Sequence, residues 1–174
     1  MDLHVDDFIV RDNFQSIGEV INLFDQVSLD RSLMPQGPLI GNGIIESHER
    51  VLLSTIETVA VPIGFVGLIM LRSTIARAGL IAPVTYADPG FVGTLTMEVF
   101  NSSKWGMDLI PGTHLWNMIV VPAPEEEAYN GRYQNQGQGV VGPKALDKDK
   151  DLWYYINSKW ITHDPLDDVL SSNG

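Results

Sequence analysis

Glycine and proline recur along the whole chain, and their spacing limits the folds that are open to it. The 174 residues include 16 Gly and 10 Pro, scattered rather than clustered. Because both residue types interrupt helices and mark turns, the backbone must change direction often. Many short strands fit this spacing better than a few long helices, so we expect one all-β domain with short helical turns.

Short apolar or alternating segments between the turns predict the strands. They cover residues 3–10, 43–46, 50–55, 59–61, 67–71, 94–100 and 115–121, with the first as an edge strand. Residues 16–24 have weak helical spacing. A single helical turn is expected from Ser73, as its cap, to Gly79, as its stop.

Charge and hydropathy restrict the partners. Twenty-two acidic residues against 11 basic ones give a net charge of −11, which argues against nucleic acid and membrane surfaces as partners. A small anionic ligand stays compatible, because salt screens distant charge within about 10 Å. The most apolar stretch, residues 59–71, is too short and too interrupted to span a bilayer, so we expect a soluble, cytoplasmic protein.

Zinc chemistry is not expected. The chain has no cysteine, and its histidines are isolated from one another. No H-x-E motif with a C-x-x-C partner is present, so the zinc deaminase signature is absent.

Three local features could carry chemistry, and each also has an ordinary structural explanation. Arg72 and Arg77 flank a helical turn and could cradle phosphate, or they could be two solvated arginines. Glu98 on a strand could be a general acid/base, or a polar residue on a wet sheet face. Asp88 begins an Asp-Pro-Gly sequence that is also an ordinary turn.

The order of several motifs resembles the dCTP deaminase family, within the dCTP deaminase and dUTPase superfamily. The resemblance rests on residues 71–80 (LRSTIARAGL), 88–101 (DPGFVGTLTMEVFN) and 109–112 (LIPG), followed by Tyr129, Arg132, Tyr133 and Gln136. It runs from about residue 43 to 144, most of the chain.

This resemblance implies a distorted β-barrel of the dUTPase type, a β-clip fold, assembled as a homotrimer. Active sites would lie at subunit boundaries, with the late arm closing over the nucleotide. From the residues themselves, the Gly- and Gln-rich segment from about residue 129 predicts that this arm is mobile. We expect residues 1–145 to form the barrel with its arm, and residues 146–174 an acidic and aromatic tail.

The resemblance also implies roles for individual residues. Glu98 would be the general acid/base, with Ser73 and Arg77 helping to hold the water and the base. The triphosphate or its magnesium complex would contact Arg72, Ser73, Thr74, Arg132 and Gln136. Phe91 and Tyr129 would line the sugar and base, with Asp88 also at the substrate. Mg²⁺ would enter only as the counterion of the nucleotide.

The implied reaction is zinc-independent deamination of dCTP to dUTP and ammonia, continuing to dUMP in a bifunctional variant. The alternatives are a dUTP diphosphatase or modified-nucleotide enzyme, and a non-catalytic nucleotide-binding protein. Three departures from the family pattern bear on this choice: a hairpin about two residues shorter before Asp88, Arg132 in place of Lys, and no first helix. They indicate a viral or otherwise divergent member, which would work in the host cytoplasm if viral.

Overall fold

The computed structural model describes residues 1–13, 20–124 and 128–146, and these fall into two compact units. The larger unit comprises the described residues up to 13, residues 31–124 and residues 128–142. The smaller unit comprises residues 20–30 and 143–146 of the described chain. The predicted tail lies outside the described residues, apart from residue 146.

Strands dominate the larger unit, which confirms the all-β prediction. They are β1 (Asp2–Arg11), β2 (Ile44–Ile45), β3 (Arg50–Thr55), β4 (Val59–Ala60), β5 (Phe65–Leu71), β6 (Leu80–Ile81), β7 (Thr85–Ala87), β8 (Val92–Gly93), β9 (Thr96–Asn101), β10 (Met107–Asp108) and β11 (His114–Pro122). A short helix, α2 (Ser73–Ala78), connects β5 to β6. The helix α1 (Gln26–Arg31) precedes β2 in the chain.

Seven strands form one antiparallel, curled sheet in the order β6-β9-β3-β1-β11-β5-β7. Two further pairs, β10 with β2 and β4 with β8, complete the strands of the described chain. β1 joins the two halves of the large sheet: residues 2–4 pair with β11, and the rest pairs with β3. The register slips twice along β1, which allows the sheet to curl there.

β1 is therefore a central strand, and the prediction of an edge strand is wrong. The prediction rested on its polar residues, but these have local partners. The main-chain N–H of His4 donates to Glu57, and the Asp7 carboxylate accepts the main-chain N–H of Ile40 at 2.8 Å. Buried polar groups are tolerated when hydrogen bonded, so polarity did not mark an edge here.

The core lies against the large sheet and takes its bulkiest residues from five of its strands. Completely buried side chains include Leu3, Leu53, Ile69, Met97 and Trp116. These positions alternate with more exposed neighbours along β9 and β5, as a half-buried strand requires. The same alternation gives β9 one face that is free to carry polar chemistry.

In the smaller unit, one glutamine joins the two segments of the chain that form it. Asp25 accepts the main-chain N–H of Val27 and caps α1. The Gln26 amide donates to the Pro143 carbonyl at 3.0 Å and accepts the Ala145 N–H at 2.9 Å. The helix predicted for residues 16–24 falls partly on residues 14–19, outside the described ones, and residues 20–24 are not helical.

Neither helix in the described parts of the chain has the length and apolar character needed to cross a membrane.

Glu57, just after β3, is bound through both carboxylate oxygens to His4. Its Oε2 accepts the main-chain N–H at 2.8 Å, and its Oε1 lies 2.6 Å from the ring Nδ1. Burial alone would raise the pKa of Glu57. The two hydrogen bonds with His4, a local main-chain hydrogen bond and the charge of His4 together outweigh burial and hold the pKa below its ordinary value.

We expect Glu57→Gln to weaken the dependence of stability on acid pH. Since the folded-state pKa lies below the unfolded one, ionised Glu57 adds stability above the ordinary pKa of 4.5, and this is lost as pH falls through the folded value. Denaturant unfolding at several pH values measures the effect. The variant should lose less unfolding free energy than the wild type on acidification below pH 4.5. Equal pH slopes would contradict this.

Candidate functional site

α2 is held at both ends by hydrogen bonds to other parts of the chain. Before it, the N–H of Arg72 donates to the Leu115 carbonyl at 2.9 Å, and the guanidinium reaches the His114 carbonyl at 3.3 Å. After it, the carbonyl of Gly79 accepts both the N–H and the hydroxyl of Ser102. Gly79 has φ 114°, the left-handed conformation predicted for the helix stop.

The predicted cap is displaced by one residue, because Ser73 is already helical. Arg72 has the extended dihedrals of an N-cap, φ −62° and ψ 138°, and its carbonyl accepts the Ala76 N–H. Its side chain makes no capping hydrogen bond. The serine hydroxyl is therefore not used in capping.

One face of α2 carries exposed polar side chains. Ser73, Thr74 and Arg77 are exposed, and none has a side-chain hydrogen bond or ion pair with another described residue. Ile75 packs against the core from the opposite face. The helix thus presents two hydroxyls and a cation outward from a firmly anchored backbone, a combination suited to an anion.

Glu98 lies near the middle of β9, between two buried neighbours. Met97 is 0% and Val99 1% exposed, whereas Glu98 is exposed. In the sheet it faces Leu52 on β3. The described residues provide it with no ion pair and no side-chain hydrogen bond. Glu98 thus points away from its apolar neighbours, as the alternation along β9 requires, and its carboxylate is available for chemistry.

The turn Asp88–Phe91 precedes β8 and is fixed against residue 61. The carbonyl of Asp88 accepts the Phe91 N–H at 3.0 Å. Gly90, with φ 77°, donates its N–H to the Val61 carbonyl, and Val61 donates to Phe91 in return. Asp88 is half-buried, and Phe91 is 5% exposed as part of the core.

Residues 128–142, which we call the arm, lie along this turn and then along β8 and β9. The Tyr129 N–H donates to the Pro89 carbonyl at 2.7 Å, and the Asn135 N–H to Val92 at 2.8 Å. Gln136 forms a parallel bridge with Gly93. Further along, the Val141 N–H donates to the Thr96 hydroxyl at 2.9 Å. The arm is thus bound to its own chain by main-chain hydrogen bonds.

The arm brings two of the predicted nucleotide residues together. The rings of Phe91 and Tyr129 lie 6.1 Å apart at 54°, and Tyr129 is partly buried against the core. Arg132 is exposed on the arm, two residues from the half-buried Gln134. Gln136 contributes its main chain to the bridge with β8.

The structure unites some of the predicted residues and leaves others apart. Phe91 and Tyr129 are in one cluster with the turn, as the resemblance implied. No hydrogen bond or ion pair within the described residues connects Glu98 to Ser73 or Arg77. Ser102, which donates to the Gly79 carbonyl after α2, follows β9 directly and lies about 13 Å beyond Glu98 at the rise of a strand.

Gln134 is a residue that sequence reasoning missed. Its side-chain amide donates hydrogen bonds to the turn and to the arm at the same time. The segment around it, QNQGQG, has no apolar period, so only the density of amide side chains could have drawn attention to it.

Comparison with known proteins finds one family. A family model described as dCTP deaminase-like matches residues 7–121. A curated dCTP deaminase from Pyrobaculum islandicum is 44% identical over 103 residues, which make up 59% of this chain and 58% of that protein. The dCTP deaminase from Aeropyrum pernix is 38% identical over 131 residues, covering 68% of this chain and 72% of the relative.

The fold is also similar to that of a solved structure. The 2′-deoxycytidine 5′-triphosphate deaminase from Agrobacterium tumefaciens matches with a TM-score of 0.53 at 15% identity, over 69% of this chain and 36% of that one. The chain spans 58% of the length of the first curated relatives that it matches. The span matched by the family model contains α2, the turn and Glu98, and ends before the arm.

Proposed function

This chain belongs to the dCTP deaminase-like family, and from this premise we propose that it catalyses the hydrolytic deamination of dCTP to dUTP and ammonia. The observation that carries the proposal is Glu98, an exposed carboxylate on β9 inside the matched span that has no ion pair or side-chain hydrogen bond with another described residue. A carboxylate without a structural partner is available to move protons.

The reaction divides into two proton transfers through Glu98. The oxygen of a water molecule bonds to C4 of cytosine while Glu98 takes one water proton and delivers it to N3. Glu98 then takes the hydroxyl proton and delivers it to the amino group, C4 and oxygen form the carbonyl, the C–N bond breaks and ammonia leaves. The carboxylate itself activates the water, so the chain needs no zinc for this step.

The other polar groups bind and orient the nucleotide. Ser73 and Arg77 hold the water and the base near Glu98, which their exposed, unpaired side chains permit. The triphosphate contacts Arg72, Thr74, Arg132 and Gln136, and Mg²⁺ arrives with it as part of the substrate. Tyr129 lies against the sugar, and its ring packs on the buried Phe91. Asp88 positions the turn at the base.

The site closes only when copies of the chain assemble, for which we propose a homotrimer. Glu98 and the polar face of α2 are open to water in one chain, yet electrostatic catalysis depends on a site shielded from bulk water. An apolar row crosses β11, β5 and β7, where Ile119 pairs with Leu68 and Leu68 with Tyr86. Ile119 is 48% and Tyr86 63% exposed, so a second copy could bury them.

Ile119→Glu is expected to dissociate the trimer and to lower deaminase activity at least about tenfold, since a buried unpaired charge costs more than 1.4 kcal/mol. The monomer should keep its fold because the side chain is exposed in a single chain. Light scattering gives the mass and ammonia release the activity. Ile110→Glu, an equally apolar and more exposed position elsewhere, is the control. A trimeric, active Ile119→Glu protein would refute this interface.

A second candidate is a nucleotide-binding protein without turnover or with a modified substrate. The observation in its favour is the short segment before Asp88, where β7 has only three residues, Thr85–Ala87. A shortened hairpin alters the space for the pyrimidine. This alternative differs from the proposal in its products.

Incubation of the protein and Mg²⁺ with dCTP and with dUTP, separately, tests the function. Chromatography of the nucleotides, with assays for ammonia and pyrophosphate, should find ammonia and dUTP from dCTP. Additional dUMP and pyrophosphate from dCTP would identify a bifunctional enzyme. Pyrophosphate from dUTP without any ammonia from dCTP would identify a dUTP diphosphatase, and no turnover of either would favour the second candidate.

A further inference from the structure

The side chain of Gln134 bonds to the turn, to β8 and to the start of the arm. Its Nε2 donates to the Gly90 carbonyl at 2.8 Å and to the Tyr129 carbonyl at 3.1 Å. Its Oε1 accepts the Val92 N–H at 2.9 Å. Both amide hydrogens are thus used, and one half-buried side chain takes the place of a strand partner.

The turn and the start of the arm, both of which Gln134 contacts, approach each other so closely at Gly90 that no side chain fits there. A Cβ added to Gly90 would lie 2.7 Å from the Cβ and 2.9 Å from the Cα of Ala128. The Tyr129 hydroxyl accepts the Tyr133 N–H at 3.2 Å, so the tyrosine ring is also tied to the loop that carries Gln134. The position of Tyr129 therefore depends on how the arm is held against the turn.

We propose that Gln134 is a positioning residue, which holds the arm on the turn Asp88–Phe91 and so places Tyr129 and Arg132 for the nucleotide. This inference rests on the proposed function. Its role is distinct from that of a nucleotide ligand, because its amide is already satisfied by three main-chain groups. Loss of the Gln134 hydrogen bonds would therefore affect nucleotide binding only through a change in the position of the arm.

Gln134→Glu tests this with little change in shape. The substitution replaces the NH₂ group by an oxygen that faces two carbonyl oxygens, so two hydrogen bonds become repulsive contacts. We expect the KM for dCTP to rise about tenfold while kcat stays within about threefold, the pattern of lost binding rather than lost chemistry. General destabilisation would instead reduce the active fraction and leave KM unchanged.

Gln138→Glu is the matched control, since Gln138 is exposed on the same arm and its side chain has no hydrogen bond with the described residues. Its KM should equal that of the wild type.

Hydrogen exchange in the absence of nucleotide provides a readout that does not need turnover. The main-chain amides of Tyr129 and Asn135 should exchange slowly in the wild type and in Gln138→Glu, and faster in Gln134→Glu. Unchanged exchange would overturn the proposal. Faster exchange with an unchanged KM would also overturn it. If the wild type proves inactive and the proposed function fails, faster exchange with an unchanged dissociation constant for the dCTP–Mg²⁺ complex would overturn it instead.

Discussion

Replacing Glu98 with Gln is expected to lower kcat for dCTP deamination by about a hundredfold to ten-thousandfold, the range that a general acid/base contributes. The amide keeps the shape of the side chain but cannot take a proton from water. Because Glu98 is exposed and unpaired within the described chain, the fold should lose almost nothing, with the unfolding free energy within about 0.5 kcal/mol of wild type. Steady-state ammonia release and thermal unfolding measure the two effects.

Asp108→Asn is a suitable control for Glu98→Gln. Asp108 is an exposed carboxylate on a short strand, β10, and has no ion pair with another described residue. It should keep full activity, while nucleotide binding should persist in Glu98→Gln. Turnover by Glu98→Gln at the wild-type rate would remove this residue from the mechanism and leave the proposed chemistry without its proton carrier.

Gly93→Ala is expected to displace the arm and to raise the KM for dCTP more than about tenfold. Gly93 has φ 152°, which an L side chain rarely adopts. An added Cβ would lie 2.7 Å from the main-chain nitrogen and 2.9 Å from the carbonyl oxygen of Gln136. Since both obstacles are backbone atoms, the arm must move away as a whole. Kinetics and limited proteolysis of the arm measure the result.

Gly137→Ala provides the comparison, because a Cβ at Gly137 would meet nothing within 4 Å. This variant should have the KM and the protease resistance of the wild type. An unaltered arm in Gly93→Ala, judged by both measurements, would mean that the close contact with β8 does not matter for nucleotide binding.

Side-chain patterns predicted the regular parts of this fold well. The alternation along β9 placed Glu98 outside and its neighbours inside, because period two is the direct signature of a strand with one buried face. The stop of α2 at Gly79 followed from glycine's access to the left-handed conformation. The start was placed one residue late, since Arg72 adopts the N-cap dihedrals without a capping side chain.

Other features depend on main-chain contacts, which side-chain patterns do not encode. The arm is attached through the Val92 carbonyl, the Thr94 N–H and the bridge at Gly93, and the amino-acid types of residues 128–142 gave no periodic signal. The central place of β1 was hidden because the side chains of His4 and Asp7 are bonded to Glu57 and to the main chain at Ile40. The glycines at positions 90 and 93 were local hints of this close approach.

The roles of individual site residues rest on the resemblance and on exposure. Ser73, Arg77 and Glu98 are exposed, but no hydrogen bond or ion pair within the described residues joins Glu98 to the other two. The motifs indicate which residues a site needs, whereas under the proposed trimer their convergence depends on assembly and on the bound nucleotide. The division of the chain at residue 145 and the substrate contacts of Asp88, Arg132 and Gln136 stay predictions.

The most direct test of the central claim is to carry out the reaction with dCTP in water labelled with heavy oxygen and to locate the label by mass spectrometry. Hydrolytic deamination predicts one labelled oxygen in the uracil base of the product, with ammonia released in equal amount. Label confined to phosphate would identify hydrolysis of the triphosphate instead. No label in any base, with dCTP recovered intact, would contradict deamination by this protein.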